Sequence, residues 1–451
     1  MSVVTELRAL DGRQWSAVTA SVLGWTLDAF DYFLMVFMFS AIAKDFHTDV
    51  ASVGIAATLT LAARPFGALV FGLLADRFGR RPVLMIDILL YSGLEFASAF
   101  APSLTVLLIL RALFGFAMGG EWGVGASLTL ESIPPGARGI ISGLLQEGYA
   151  MGYLLASLVF AFLFDHIGWR GMFMIGVAPA LLVVVLRLGV RESPAFEARR
   201  AETPRLSLPL MSLLGVAALG VALAPALAGA AGMLDAKTML WWVYGIDAPL
   251  ALAGLWIFRR HWRLALFAVA LMAAFNFFSH GAQDLYPTFL GKQHGLNTQT
   301  VGVLTLIGNV GAIAGGLAFG ALSERLGRRW SIVIAALASL AVIPLWAFSH
   351  GVAMLALGAF LIQVMVQGAW GVVPAHLNEL SPADQRGAFP GYVYQLGNLL
   401  ASGCVVWQAQ IAQTHHGNYG LALAVVVGGV AVVIAGLAAL GPERRGADLT
   451  A

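Results

Sequence analysis

Charge is what this chain has least of. Only 11% of its 451 residues are Asp, Glu, Lys or Arg, against 59% hydrophobic residues. The formal net charge is +2, which gives no case for nucleic acid as a partner. Cysteine occurs once, as Cys404, which excludes an intrachain disulfide. Residues 1–16 lack the early apolar core of a cleaved signal peptide, so the first apolar segment is expected to stay as a membrane anchor. What the chain has in excess is apolar sequence. Its mean hydropathy of +0.83 fits a chain whose solvent is a bilayer and exceeds what a water-soluble domain of this size needs.

A helix needs about 20 apolar residues to cross a membrane. Fourteen spans are read, near 17–43, 53–75, 82–101, 103–128, 140–164, 171–189, 207–231, 238–258, 264–290, 300–322, 331–349, 352–374, 388–411 and 419–440. If the N-terminus is cytoplasmic, 20 Lys and Arg fall on the cytoplasmic side and four, Lys44, Arg170, Lys237 and Lys292, on the outer side. That bias predicts both termini inside a cell membrane, as in a bacterial inner membrane. Arg64 and Arg111 fall within spans.

The sequence repeats itself. Gly72–Arg81, GLLADRFGRR, matches Gly320–Arg329, GALSERLGRR, at an offset of 248. At the same offset Gly120–Gly123 matches Gly368–Gly371, and Glu131–Gly139 matches Glu379–Gly387. Two halves of the chain are therefore duplicates in one orientation, as in alternating-access transporters. The expected organisation is a cytoplasmic N-terminus (1–16), a six-helix bundle (17–190), a cytoplasmic linker (191–206), two additional helices (207–260), a second six-helix bundle (261–440) and a cytoplasmic C-terminus (441–451).

The stretch Gly72, Leu74, Ala75, Asp76, Arg77, Gly79, Arg80, Arg81 resembles the loop signature of the major facilitator superfamily, and Arg111–Gly120 resembles its fourth-span motif. The resemblance implies an all-α membrane protein with the major facilitator superfamily fold: two pseudo-symmetric six-helix halves, here with two extra central helices. Those extra helices, LDAFD in the first span and GEWG in the fourth are similar to the sialate:proton symporter family, whose members carry sialic acid, lactate or pyruvate. Asn276, Ser279, His280, Gln283, Asp284 and Thr288 resemble the motif of its lactate/pyruvate branch, with Ala282 in place of a Ser or Thr.

Asn276, Ser279, His280, Gln283 and Asp284 fall within an arc of roughly 140° at 100° per residue, one polar stripe on an otherwise apolar helix. Polar groups facing lipid are costly, so the stripe is expected to face a cavity between the halves. A helix–helix hydrogen-bond seam is the alternative. The offset carries Asn276 and Ser279 onto Asp28 and Asp31. Burial makes an ionised carboxylate costly, so a member of the set Asp28, Asp31, Glu121 and Asp284 can carry the proton. The alternative for the two first-span aspartates is a permanent bridge to Arg64 or Arg111. Arg64, ahead of Pro65, is a candidate anchor for an anion, because its planar fork matches a carboxylate. The substrate-binding set is Arg64, Asn276, Ser279, His280 and Gln283.

The loop motifs read as gates. Asp76, Arg77, Arg80 and Arg81, with Glu324, Arg325, Arg328 and Arg329, lie where substrate only passes. Glu131 with Arg138, and Glu379 with Arg386, read as the same device, charges that bridge in one conformation and part in another. Gly119, Gly120 and Gly123 allow close helix packing. His415 and His416 have no neighbour at ligand spacing, so no metal is expected, nor any cofactor. Trp241 and Trp242 suit a membrane interface. The expected role of the extra pair is peripheral packing.

The function expected is proton-coupled import of a small organic anion by a monomer in the lipid bilayer, lactate or pyruvate foremost and sialic acid second. Proton-antiport efflux fits the same fold. A sensor would need a longer signalling segment, and an enzyme would need a nucleophile–base or metal arrangement, neither of which is read here.

Overall fold

The structure, a computed structural model, describes residues 7, 10–48, 50–188, 192, 208–230, 241–447 and 449. All of the predicted linker 191–206 except Glu192 lies outside the described residues. So do most of residues 1–9, and Arg8, Arg191, Arg199, Arg200, Arg205 and Lys237 of the charge count. Among the described residues the secondary structure is helical, without strands.

The first half holds α1 (Gly12–Asp45), α2 (Val50–Phe78) and α3 (Arg80–Ser98). It continues with α4 (Leu104–Met118), α5 (Glu121–Ser132), α6 (Arg138–Gln146) and α7 (Gly148–Leu188). The helix α7 is two helices joined at Gly168, whose φ of +63° breaks the helical path between two predicted spans. Then come α8 (Leu208–Ala230), a π turn over Val243–Asp247, α9 (Ala248–Ala253) and a 3-10 turn over Gly254–His261. The second half holds α10 (Trp262–Gln283), α11 (Tyr286–Lys292), α12 (Thr298–Leu326) and α13 (Arg328–Phe348). It ends with α14 (Val352–Leu380), α15 (Phe389–Ala401), α16 (Cys404–Thr414) and α17 (Tyr419–Leu440). Helix lies beneath each of the fourteen predicted spans, the eighth being described from residue 241. Among the described residues, nine segments are long and apolar enough to cross a membrane.

Local chemistry starts these helices. Asp11 accepts from the Gln14 backbone N–H while the Gln14 side chain accepts from the Asp11 N–H, a reciprocal cap on α1. Asn297 caps α12 and Asn418 caps α17 in the simpler one-bond form. Gly79 and Gly327, 248 apart, precede α3 and α13 with φ of 109° and 91°. L-residues with a side chain rarely adopt that backbone, which is a physical reason for glycine in both loop motifs.

The halves meet most closely on the arginine-rich face. There the two loop motifs cap each other. The Asp76 carboxylate accepts from the N–H groups of Gly387 (2.8 Å) and Ala388 (3.2 Å) in the other half. Glu324, its repeat partner, accepts from the N–H of Gly139, the repeat partner of Gly387. Arg80 bridges Asp76 (3.1 Å) and Glu131 (3.3 Å). Arg328 bridges Glu324 (2.8 Å) and grips Glu379 with two nitrogens at 3.0 Å each. Glu379 thus pairs with Arg328 at the start of α13, which packs on α14, rather than with Arg386, its neighbour in sequence. Arg138 donates to the carbonyls of Leu130 and Ala447, and Arg386 to that of Leu449. Arg77 is half-buried at the end of α2, and the Arg81 N–H donates to Glu192. Arg325 is exposed, while Arg329 donates to carbonyls at the end of α17. A Cβ added to Gly123 would overlap the backbone of Gly391 in the other half, so this close crossing depends on the glycine of GEWG.

The extra helices pack at the periphery, in a defined place. The helix α8 lies on α2 and α4 of the first half. The segment around α9 lies on α15 of the second: Tyr244 Oη is 3.1 Å from Ser402 Oγ, the Tyr392 hydroxyl donates to the Ala251 carbonyl, and Phe258 meets Phe389 edge-on. Because α2 also packs on α15, the pair covers one seam between the halves.

Candidate functional site

On the other side of that closed face, a cavity of about 440 Å³ lies between the halves. Tyr32, Phe37 and Tyr153 line it from the first half, and Gln283, Asp284 and Gln363 from the second. Below it is a space of about 30 Å³, room for little more than a water, beside Asp28, Arg64, Asn276, Ser279 and His280. Tyr32, Tyr149 and His280 line both. The polar stripe of α10 therefore faces the cavity, with His280 joining its narrow and wide parts.

Arg64 reaches Asp28 across the first half: Nη2 is 3.0 Å from Oδ1, with both side chains buried. Nη2 also lies 3.5 Å from Met118 Sδ. The Nε of Arg64 and the Oδ2 of Asp28 have no hydrogen-bond partner among the described residues. The pair is thus incompletely satisfied, a costly state for buried polar atoms and one that an incoming carboxylate can relieve on the arginine side.

Asp31 points elsewhere. Three residues on from Asp28, it is fully buried inside the first half, beside Glu95 and against Gly176. Arg111 pairs with Glu95 at 2.6 Å and donates to Ser98, with its guanidinium 4.1 Å from the Phe114 ring centroid. Arg111 is therefore held by Glu95, not by a direct bridge to either aspartate of the first span. Glu121 is buried at the start of α5, where the fourth span is interrupted at Gly119 and Gly120, and neither it nor Asp31 is among the residues lining the two cavities.

In the second half, His280 Nδ1 lies 3.0 Å from Asp284 Oδ2, and Nε2 lies 3.4 Å from Asn398 Oδ1. The imidazole so links the mouth of the cavity to its floor. Asn276 and Gln283 do not donate to a carboxylate here. Asn276 donates to the Met272 carbonyl and Gln283 to Gln363. Ser279 accepts from Gln367 at 3.2 Å. The helix ends at Gln283, so Asp284 sits at the break between α10 and α11, on a helical terminus rather than inside a rod. Among the described residues no cluster of His, Cys, Asp and Glu could hold a metal.

Several site residues were not singled out from the sequence. Trp25, Tyr149, Trp370 and Tyr394 wall the narrow space. Trp25 stacks on Tyr149 at 5.9 Å, and Trp370 meets Tyr394 edge-on at 5.6 Å. Aromatic residues are common in spans, so of these only Trp370, inside the repeat Gly368–Gly371, carried a local signal. Glu147 also carried one, a carboxylate inside an apolar span. It is buried, its Oε1 lacks a hydrogen-bond partner among the described residues, and it abuts Gly316 of the other half.

Known proteins similar to this chain are transporters. Residues 21–216 match the family described as Major Facilitator Superfamily, and residues 261–442 match the one described as Sugar (and other) transporter. Each half thus matches a transporter family model, the first half that of the Major Facilitator Superfamily. Its similarity extends to a carboxylic acid transporter protein homolog of Saccharomyces cerevisiae, 27% identical over 99% of this chain and 71% of that one. The niacin transporter NiaP of Acinetobacter baylyi is 29% identical, covering 95% and 93%. The sialic acid transporter NanX of Escherichia coli is 24% identical, covering 92% and 90%. Among solved structures, the proton:xylose symporter XylE bound to 6-bromo-6-deoxy-D-glucose has the same fold, with a TM-score of 0.69 at 19% identity over 97% and 98% of the two chains.

Proposed function

We propose that this protein imports a small organic anion together with protons, by alternating access, with lactate or pyruvate the first candidates. The observation that carries the reading is the buried Arg64–Asp28 pair on the floor of an interhalf cavity, opposite the polar stripe of α10. A guanidinium with an unmet nitrogen is suited to a carboxylate, and a carboxylate partner beside it is suited to taking the proton as the anion arrives. The relatives whose names refer to a carboxylic acid, niacin and sialic acid support an organic acid as substrate. With the arginine-rich face cytoplasmic, the described conformation has its inner gate closed and its cavity on the outer side.

Arg64, Asn276, Ser279, His280 and Gln283 bind the substrate in this reading. Protons are carried within the set Asp28, Asp31, Glu121 and Asp284. The reciprocal caps of Asp76 and Glu324, braced by Arg80 and Arg328, form the inner gate. A second reading is favoured by the aromatic walls: a planar cyclic monocarboxylate stacked on Tyr149 or Tyr394 in place of an aliphatic one. Sialic acid is a third, for which the wide cavity has room. Uptake of radiolabelled lactate, pyruvate, benzoate, nicotinate and sialic acid into proteoliposomes separates the three. Accumulation of neutral sugars with none of these acids would defeat the anion reading.

A further inference from the structure

A second cleft lies on the arginine-rich face, away from the substrate path. It measures about 470 Å³ and is formed where the 3-10 turn leads into α10, against the end of α17. Its polar wall carries Arg260, Arg263 and Arg444, and its apolar wall carries Leu264, Phe267 and Leu440. Leu440, the last residue of a segment apolar enough to cross a membrane, is 90% exposed, and Trp262 is 54% exposed. Such surface is suited to acyl chains and the headgroup boundary, where tryptophan is enriched. The three guanidinium groups have no ion-pair partner among the described residues. The nearby Glu443 has its oxygens engaged by the backbone N–H groups of Arg329 (3.0 Å) and Arg445 (3.1 Å). Arginines without an ion-pair partner among the described residues and an apolar wall thus share one cleft at the ends of two apolar helices.

We propose that this cleft binds an anionic glycerophospholipid, the phosphodiester on Arg260, Arg263 and Arg444 and an acyl chain along Leu264, Phe267 and Leu440. Basic pockets between helices on the cytoplasmic side suit such headgroups. A free phosphate shares the headgroup's chemistry but would leave the apolar wall uncovered. The site is independent of the transport reading, since none of its residues lines the substrate cavity.

The test uses the full-length protein, delipidated in detergent and titrated with phosphatidylglycerol, phosphatidylcholine or inorganic phosphate. Bound lipid is counted by native mass spectrometry. Phosphatidylglycerol should be retained at least tenfold better than phosphatidylcholine. Each arginine removed should weaken retention about fivefold, and Arg260→Ala/Arg263→Ala/Arg444→Ala together on the order of 100-fold. The Arg260→Lys/Arg263→Lys/Arg444→Lys variant, which keeps the charge and guards against a folding defect, should retain most of the binding. Lys292→Ala, on the opposite face, should change nothing. Equal retention of both lipids, or of phosphatidylglycerol by wild type and the triple alanine variant, would overturn the proposal. Competition by inorganic phosphate at the same concentration as phosphatidylglycerol would also overturn it, by showing that the apolar wall plays no part.

Discussion

Removing the guanidinium of Arg64 should have two separable effects. In Arg64→Ala the Asp28 carboxylate, 1% exposed, loses its only ion-pair partner among the described residues. Breaking a buried pair from one side costs about 3–5 kcal/mol, which thermal unfolding in detergent will read as a marked loss of stability. The second effect is on the ligand. A charge-assisted hydrogen bond to a carboxylate is worth about 1.5–3 kcal/mol, so affinity should fall by roughly 10- to 150-fold. Adding Asp28→Asn to Arg64→Ala removes the stranded charge and should restore much of the stability but none of the affinity. Arg64→Lys keeps the charge and loses the fork, so it should bind about tenfold more weakly than wild type. Isothermal titration with the transported acid, beside thermal unfolding, resolves the two effects. If the folded double variant binds the acid within twofold of wild type, Arg64 serves only the standing pair with Asp28 and the anchor assignment is wrong.

Asp284→Asn should keep substrate counterflow while losing acceleration by a proton gradient, and Asn276→Ala and Gln283→Ala should mainly raise the half-saturation concentration; variants that all behave as wild type would make the stripe a packing seam. Asp76→Ala removes two cross-half caps and Glu324→Ala one, so backbone hydrogen exchange at Gly387, Ala388 and Gly139 should speed up at least tenfold in the matching variant; unchanged exchange would remove these carboxylates from the gate. At the other face the Arg170 hydrogen bond holds the Asp45 carboxyl below the ordinary carboxylate range. A depressed carboxyl contributes stability above its unfolded value and loses it only as pH falls through the folded one, so this contribution is flat between about pH 5 and 8. The pair is also about half exposed and worth at most about 1 kcal/mol. Asp45→Asn should therefore leave the pH profile of uptake unchanged in that range, and a shifted profile would bring Asp45 into the coupling.

The duplicated architecture was legible because it rests on repeated short motifs and on long apolar runs, both local in sequence. The same offset relates Asp76 to Glu324 and Gly139 to Gly387, yet sequence did not show that each acid caps the other half's glycine. That contact exists only once the halves dock. The stripe was legible because a helix stacks His280 on Asp284 whatever surrounds it. The fates of Asp28 and Asp31 were not. They sit on one helix, but neighbours decide between them: Arg64 of α2 takes the first, while the second is buried beside Glu95 of α3. Glu95 itself engages Arg111, a pairing that no spacing announces. The aromatic walls escaped for a related reason. Trp25, Tyr149, Trp370 and Tyr394 come from four separate spans and converge only in three dimensions.

The central claim is that proton movement drives anion import through the Arg64 site. The most direct test is uptake of the preferred radiolabelled acid into proteoliposomes with an imposed pH gradient, acidic outside, in wild type and Arg64→Ala. Accounting for non-ionic diffusion with protein-free liposomes, wild type should accumulate the acid above its external concentration. A protonophore should collapse that accumulation, and Arg64→Ala should reduce it at subsaturating substrate. Protein-dependent uptake that is indifferent to both the gradient and the protonophore would contradict the account.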